Sequence, residues 1–164
     1  MFSVIFPGQG SQKVGMGNDL YNNYSYIKHL FEQADESLGF KLSKLILEGP
    51  KEDLDLTEYT QPAIFLVSYS IFETIKKETN LDLSKAKYFA GHSLGEYSAL
   101  ALSGSLQFDQ AIKLLNKRGK AMQVAVPKGE GGMVAVLGAE LDEIYNLLNE
   151  NNKKYVCYVA NDNS

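Results

Sequence analysis

The chain has 164 residues, of which 45% are hydrophobic and 22% are charged, and this suits a protein with one well-filled hydrophobic core. The net charge of -4, from 16 basic and 20 acidic residues without a basic stripe, argues against a nucleic-acid partner. The single cysteine, Cys157, excludes an internal disulfide and favours a reducing compartment. The most apolar stretch, residues 63–72, is far shorter than the roughly 20 residues of a membrane helix. We therefore expect a soluble, cytoplasmic protein with no membrane attachment.

The first part of the chain alternates apolar runs with turn signals. Residues 2–6 predict a short strand, which ends in the glycine-rich loop 7–12. Apolar residues at helical spacing from Ile27 to Leu38 predict a helix, and Gly39 is a suitable residue to end it.

A second helix is predicted to begin at Pro62, where a missing N–H costs nothing, and to run to about residue 77. Apolar residues surround it over residues 63–72, so we expect it to be largely buried. Residues 87–90 predict another strand, and residues 94–102 predict the helix that follows that strand.

Asp109 is predicted to cap a helix over residues 110–125. The glycine-rich segment 127–132 is interpreted as a hinge. Beyond it the pattern predicts a strand, a helix and a strand, at residues 133–137, 141–149 and 155–160. We therefore expect an α/β fold, with a largely parallel sheet flanked by helices in residues 1–126 and the beginning of a small α+β unit in residues 127–164.

A possible nucleophile lies between the strand at 87–90 and the helix at 94–102. Gly91-His92-Ser93-Leu94-Gly95 fits G-x-S-x-G, the nucleophile elbow, in which a strand turns sharply into a helix with a strained serine at the tip. The flanking glycines are required because the two arms of the turn nearly touch. The alternative is a glycine-lined turn whose serine caps the next helix. The predicted strand and helix favour a nucleophilic role for Ser93.

A nucleophilic serine at such an elbow also needs nearby donors for an oxyanion. The Leu94 N–H, directly after the serine and at a helix start, is one candidate. The loop Gly8-Gln9-Gly10 follows another strand and could supply the second donor. Its glycines fit neither a dinucleotide fingerprint nor a phosphate-binding loop, because Lys13 and Met16 occupy required positions. The alternative is a flexible turn.

Arg118 interrupts an apolar stripe. On the helix from residue 110 the inward stripe is predicted to contain Ala111, Leu114, Leu115, Ala121, Met122 and Ala125, with Arg118 among them. A buried guanidinium needs an anionic partner, and its fork matches a carboxylate. Gly119 beside it would admit a close neighbour. The alternatives are a side chain that extends to solvent, or one that pairs with a structural acid.

The chain shows a nucleophile without an evident base. It contains two histidines. His92 adjoins Ser93, but neighbouring residues around a tight turn point in different directions. His29 lies in a predicted helix, near Leu30 and Glu32, and nothing on that side of the helix indicates a functional role. Both are interpreted as structural or solvent-facing. Glu96 could assist, although nothing in the pattern singles it out.

Five segments, in order and at characteristic spacing, resemble one enzyme family: FPGQGSQKVGMG, YTQPAIF, GHSLGEYSAL, KRGKAMQ and GGMVAVLG. Together they resemble the malonyl-CoA:acyl-carrier-protein transacylases of bacterial-type fatty-acid synthesis. Related acyltransferase domains of polyketide and fatty-acid synthases share these motifs. The likeness covers essentially the whole chain, and the combination is highly specific.

The resemblance implies a role for each matching residue. Ser93 is similar to the acylated nucleophile, and Gln9 with the Leu94 N–H resembles the oxyanion-hole pair. Arg118 resembles the clamp on the malonyl carboxylate. Gln61 matches a substrate-binding position with a supporting role.

The resemblance also implies an architecture and a reaction. The fold would be a hydrolase-like parallel sheet followed by the beginning of a ferredoxin-like subdomain. The enzyme would pass a malonyl group from malonyl-CoA to acyl carrier protein, without a metal or cofactor, and would act as a monomer when complete. In the family the catalytic histidine lies downstream of every residue present here, so we expect a truncated chain that is inactive alone. The alternatives are a polyketide-type acyltransferase, a serine hydrolase, and an inactive fragment or interaction module.

Overall fold

The structure is a computed structural model that describes residues 1–126, 129–151 and 156–162. Contacts between residues divide the chain into two units, Met1–Lys128 and Gly129–Ser164. The elements of the first unit are β1 (Ser3–Phe6), α1 (Asn18–Asn23), α2 (Ser25–Leu38), α3 (Leu42–Glu48), α4 (Lys51–Leu54), α5 (Thr57–Glu78), a 3-10 turn (Leu83–Lys85), β2 (Tyr88–Gly91), α6 (Leu94–Leu102) and α7 (Phe108–Ala125). The second unit contains α8 (Leu141–Asn151).

Strands β1 and β2 pair in parallel, with Ser3 opposite Tyr88 and Phe6 opposite Gly91. Both strands were expected from the sequence, and their parallel pairing among flanking helices confirms the α/β class. Because parallel strands run in the same direction, their carboxyl ends meet at one edge of the sheet. The loop after Phe6 and the turn after Gly91 therefore lie side by side.

Helix α5 is the centre of the core in the first unit. The prediction that residues 63–72 are largely buried is confirmed, although Ile71 is 45% exposed. The ring of Phe65 lies 5.5 Å from that of Phe108 at the start of α7. Helices α2 and α6 pack against the same core, whose buried members include Phe31 and Leu94. The predicted helix over α2 is also confirmed, and Gly39 ends it with a φ of 76°.

The start of α5 corrects one prediction. The helix begins at Thr57, five residues before Pro62, so Pro62 lies inside it. A proline cannot donate to the carbonyl four residues earlier, which here is that of Glu58. Asn116 of α7 supplies the missing donor, because its Nδ2 lies 2.9 Å from the Glu58 oxygen. A side chain from a distant helix therefore lets α5 continue through its proline.

Helix α7 differs from the prediction in its cap. It begins at Phe108 with Gln107 as the capping residue, so Asp109 does not cap it. The Asp109 carboxylate instead accepts hydrogen bonds from Gln33 (2.9 Å) and Ser37 (2.7 Å) of α2. Asp109 therefore ties the beginning of α7 to α2.

The inward face of α7 also differs from the predicted stripe. Its buried residues are Phe108, Ala111, Ile112, Leu115, Asn116 and Gly119. Asn116 and Gly119 of α7 contact the backbone at the start of α5. Leu114 and Met122 lie away from this contact and are 43% and 44% exposed.

In the second unit the predicted helix is confirmed as α8. The strands predicted at 133–137 and 155–160 are wrong for the described residues, since 133–137 and 156–160 are not in strands, and Tyr155 lies outside the described residues. Val134 and Leu137 are 85% and 90% exposed. A strand is stable only beside another strand that takes up its N–H and C=O groups, and the described residues supply none to these segments.

Among the described residues, no helix is both long enough and apolar enough to cross a lipid bilayer.

Gly119 lies directly against the backbone of α5. A Cβ added there would lie 2.5 Å from the Thr57 oxygen and 2.6 Å from the Glu58 Cα. A Gly-to-Ala change inside a helix ordinarily stabilises a protein by about 1 kcal/mol. Here we expect Gly119→Ala to lower the free energy of unfolding by about 1–3 kcal/mol, because the new methyl group would overpack against backbone atoms that cannot rotate away. Urea denaturation measures this free energy. The exposed neighbour serves as a control, since Lys120→Ala should change the stability by less than about 0.5 kcal/mol; a gain in stability for Gly119→Ala would contradict the close helix contact.

Candidate active site

Ser93 occupies the turn between β2 and α6 in a strained conformation. Its φ of 53° makes it the only non-glycine residue with positive φ in the part of the chain that the structure describes. Its side chain makes no capping hydrogen bond to α6, so the alternative of a simple helix cap is wrong. Ser93 is exposed. A strained, exposed serine at the carboxyl end of a strand has the geometry of a nucleophile elbow.

Both elbow glycines are sterically required. A Cβ on Gly91 would lie 2.0 Å from the carbonyl carbon of Gly95. A Cβ on Gly95 would lie 2.6 Å from the oxygen of Phe6 and 2.8 Å from that of Pro7. The two arms of the turn therefore touch, as the sequence predicted, and the end of β1 packs directly on the elbow.

The backbone after Ser93 presents one free donor. The N–H of Gly95 bonds to the His92 oxygen (2.9 Å), and that of Glu96 bonds to the Ser93 oxygen (3.2 Å). The Leu94 N–H has no hydrogen-bond acceptor among the described residues. The Leu94 side chain is fully buried and fixes this part of the turn. The Leu94 N–H is thus an available donor beside Ser93, at the start of α6, where the helix dipole is positive.

Gln9 lies in the loop after β1, beside the elbow. A Cβ on the preceding Gly8 would lie 2.6 Å from His92 Nδ1, so this loop packs against the residue next to the nucleophile. Gln9 is exposed, and its Nε2 donates to Thr57 Oγ1 at 3.4 Å. The structure therefore brings Gln9 and Ser93 to the same edge of the sheet.

Arg118 contacts the nucleophile directly. Its Nη2 donates to Ser93 Oγ at 3.0 Å, and its Nη1 donates to Gln61 Oε1 at 2.7 Å. The guanidinium also lies 5.7 Å from the ring centre of Tyr97, at cation–π distance. Arg118 is half-buried and is not among the buried residues of the inward face of α7, so its predicted inward position is met only in part. No carboxylate among the described residues lies within ion-pair distance of it, so its charge faces neutral partners only.

Gln61 fixes the position of Arg118. Gln61 is fully buried. Its Oε1 accepts from Arg118, and its Nε2 lies 3.2 Å from Met122 Sδ. Since both ends of the amide are occupied, Gln61 presents a fixed acceptor to the guanidinium.

Sequence reasoning missed Tyr97 and Met122. Met122 lies four residues after Arg118 on α7, and Tyr97 lies four residues after Ser93, in the first turns of the helix that follows it. Side chains four apart on a helix share one face, and that spacing was the available signal.

The histidines do not pair with the nucleophile in the described residues. His29 lies on an exposed face of α2, and its Nδ1 is 3.1 Å from Glu32 Oε2. His92 is exposed and packs on Gly8, with no hydrogen bond to Ser93. Glu96 is exposed in the first turn of α6, and no described side chain bonds to it. The site therefore combines an exposed serine, a backbone N–H without an acceptor among the described residues, and an arginine.

Comparison with known proteins shows which family this chain resembles. The acyl transferase domain family matches residues 3–164. The chain is 44% identical over 163 residues to the malonyl CoA-acyl carrier protein transacylase of Haemophilus influenzae, covering 99% of this chain and 52% of that protein. It is 47% identical over 142 residues to the protein of the same name from Bacillus subtilis, covering 87% of this chain and 44% of that one.

Solved structures agree with the sequence relatives. An acyl-carrier-protein-S-malonyltransferase from Bartonella henselae matches with a TM-score of 0.90 and 39% identity, over 99% of this chain and 52% of that chain. A malonyl-transacylase in complex with its type II PKS acyl-carrier protein matches with a TM-score of 0.84 and 38% identity, over 94% of this chain and 49% of that chain. The chain spans about half the length of the curated relatives it matches. With this elbow, this fold and this similarity over its whole length, the chain belongs to the acyl transferase domain family, among relatives named malonyl CoA-acyl carrier protein transacylases.

Proposed function

We propose that the protein is a malonyl-CoA:acyl-carrier-protein S-malonyltransferase of fatty-acid biosynthesis. The observation that carries the proposal is the placement of Arg118 Nη2 3.0 Å from Ser93 Oγ, with no carboxylate partner among the described residues. A malonyl thioester has a free carboxylate one methylene away from the carbonyl that a nucleophile attacks. A guanidinium beside the serine matches that chemistry.

The proposed reaction has two halves. Ser93 Oγ attacks the malonyl thioester carbonyl and loses its proton to a general base, the C–S bond breaks, and coenzyme A leaves as its thiol. The phosphopantetheine thiol of acyl carrier protein then gives its proton to the base and attacks the Ser93 ester, the bond from the carbonyl carbon to Ser93 Oγ breaks, Oγ takes back a proton, and the malonyl group leaves as the new thioester. The names of the relatives and the solved complex with an acyl-carrier protein support this acceptor. Neither His29 nor His92 is assigned as the base, since neither bonds to Ser93 in the described residues.

Each half-reaction passes through a tetrahedral oxyanion. We assign its stabilisation to the Leu94 N–H and to Gln9, which approach Ser93 from the two strand ends. Removing one such donor typically costs about 10²–10³-fold in rate. The strained elbow holds Ser93 and the Leu94 N–H in fixed relation, so this donor needs no rearrangement during reaction.

Substrate selection is assigned to Arg118, with Gln61 acting through it. The guanidinium can donate two parallel N–H hydrogen bonds to the two oxygens of a carboxylate. When the malonyl carboxylate binds, Arg118 exchanges its weak neutral acceptor, Ser93 Oγ, for a charged one. Gln61 Oε1 continues to accept from Nη1 and so keeps the guanidinium in position. The single cysteine and this cofactor-free chemistry suit the cytoplasm, where we place the reaction.

Ser93 should form a malonyl ester. Incubation of the complete protein with malonyl-CoA, followed by intact-mass measurement and peptide mapping, is expected to place one malonyl group on Ser93. Ser93→Ala should carry none. Ser103→Ala, an exposed serine at the end of the same helix, is the matched control and should be labelled like the wild type. An ester that persists in Ser93→Ala would refute the assignment, and consumption of malonyl-CoA without any thiol acceptor would favour a hydrolase.

Arg118 should discriminate between acyl groups. Since only malonyl carries a free carboxylate, Arg118→Ala is expected to reduce malonyl transfer relative to acetyl transfer by roughly ten- to a hundredfold, as a charge-assisted hydrogen bond contributes about 1.5–3 kcal/mol. The rates of both transfers to acyl carrier protein measure this preference. Lys117→Ala removes an exposed charge from the same helix turn and should leave the preference unchanged. Equal losses for both acyl groups would instead show a structural arginine.

A further inference from the structure

The loop that carries Gln9 is held by a relay of hydrogen bonds outside the site. The Gly10 N–H donates to Gln12 Oε1 at 2.8 Å. Gln12 Nε2 donates to Asp55 Oδ1 at 2.9 Å, and Lys51 Nζ pairs with the other oxygen of Asp55. The relay therefore runs from the backbone beside Gln9 to the segment that precedes α5.

The charge of Asp55 fixes the direction of this relay. The hydrogen bonds from Lys51 and then from Gln12 hold the pKa of the Asp55 carboxyl below its usual range, so it is ionised at neutral pH. A carboxylate only accepts hydrogen bonds. Gln12 must therefore turn its NH₂ group toward Asp55, which leaves its oxygen for the Gly10 N–H. One amide orientation satisfies both contacts.

The relay acts on a loop that would otherwise be loosely held. Gly10 has a φ of 105°, which favours glycine, and Gln9 and Ser11 are exposed. Gly8 packs on His92, and the other hydrogen bonds of the loop among the described residues are the 2.9 Å bond from Ser11 Oγ to the Gly8 oxygen and the 3.4 Å bond from Gln9 to Thr57. The first of these bonds is internal to the loop, and the second is at the limit of hydrogen-bond distance. Of the two described side-chain hydrogen bonds that join this loop to the rest of the fold, the Gln12–Asp55 bond is the shorter, at 2.9 Å against 3.4 Å.

We propose that Gln12 and Asp55 are positioning residues for the oxyanion hole. By fixing the peptide between Gln9 and Gly10, they hold the Gln9 donor at the distance from Ser93 that the oxyanion requires. Neither residue touches the reacting atoms. This inference rests on the proposed acyl transfer through Ser93, and it adds the residues that align one of its donors.

The test exchanges the two partners in the complete protein. In Gln12→Glu two carboxylates face each other, so the hydrogen bond between residues 12 and 55 is lost. In the double variant Gln12→Glu/Asp55→Asn, the asparagine NH₂ can donate to the new carboxylate, which still accepts from Gly10. The rate constant for Ser93 acylation is measured in single turnovers at saturating malonyl-CoA, together with the half-saturating concentration.

We expect Gln12→Glu to lower the saturated acylation rate constant by roughly ten- to a hundredfold, because a misplaced donor loses part of the 10²–10³-fold that a removed one costs. The half-saturating concentration should change by less than about threefold, and the double variant should recover to within about threefold of wild type. Gln12→Met removes both hydrogen bonds without adding charge. It should show the same loss, and it carries the test if Gln12→Glu does not fold.

Asp82→Asn is the control, since Asp82, like Asp55, is a carboxylate that pairs with a lysine within one helical turn, and this variant should react like wild type. A purely structural role would reduce the fraction of protein that reacts but leave the rate constant of that fraction unchanged, and this result would overturn the inference. Wild-type rate constants in Gln12→Glu and Gln12→Met would also overturn it while the proposed function stands. Absence of any Ser93 ester in the wild type would refute the proposed function itself.

Discussion

The close contact between α7 and the start of α5 is the constraint on which the site depends. Gly119 lies against the backbone of Thr57 and Glu58, and Asn116 donates to the carbonyl that Pro62 leaves without a donor. This contact lets α5 begin early enough to place Gln61 opposite Arg118. Thr57 Oγ1, at the start of the same helix, also accepts a 3.4 Å hydrogen bond from Gln9 Nε2. The start of one helix therefore positions the partner of the arginine and also contacts the loop that carries Gln9.

The second constraint is the elbow, which the sheet holds in place. Ser93 keeps a φ of 53°, a conformation that costs free energy and persists only where surrounding contacts enforce it. Those contacts are the close approach of Gly91 to Gly95 and the packing of Gly95 on the oxygen of Phe6. Since Phe6 and Gly91 are also paired across the sheet, the strand register and the strained serine support each other.

The two constraints together give the site its electrostatic character. Arg118 is half-buried, and its described partners, Gln61, Ser93 and the face of Tyr97, are all neutral. A guanidinium without a counter-ion favours any anionic group that can reach it. The elbow places Ser93 Oγ 3.0 Å from Arg118 Nη2, so under the proposed function carboxylate binding and attack on the neighbouring thioester would occur at one place. Specificity and catalysis would thus share a single arginine–serine contact.

By itself the sequence determined the features that obey local rules. The glycine spacing of the elbow, the helix that ends at Gly39 and the partly inward position of Arg118 follow from sterics and helical periodicity within a few residues. Only the tertiary structure decided where α5 begins, what Asp109 binds, and that residues 133–137 form no strand. It also decided that Gln12 reaches Asp55, 43 residues away, and that Arg118 reaches Gln61, 57 residues away. Such contacts leave no periodic signal, because each partner is selected by how distant elements pack and not by its neighbours in the chain.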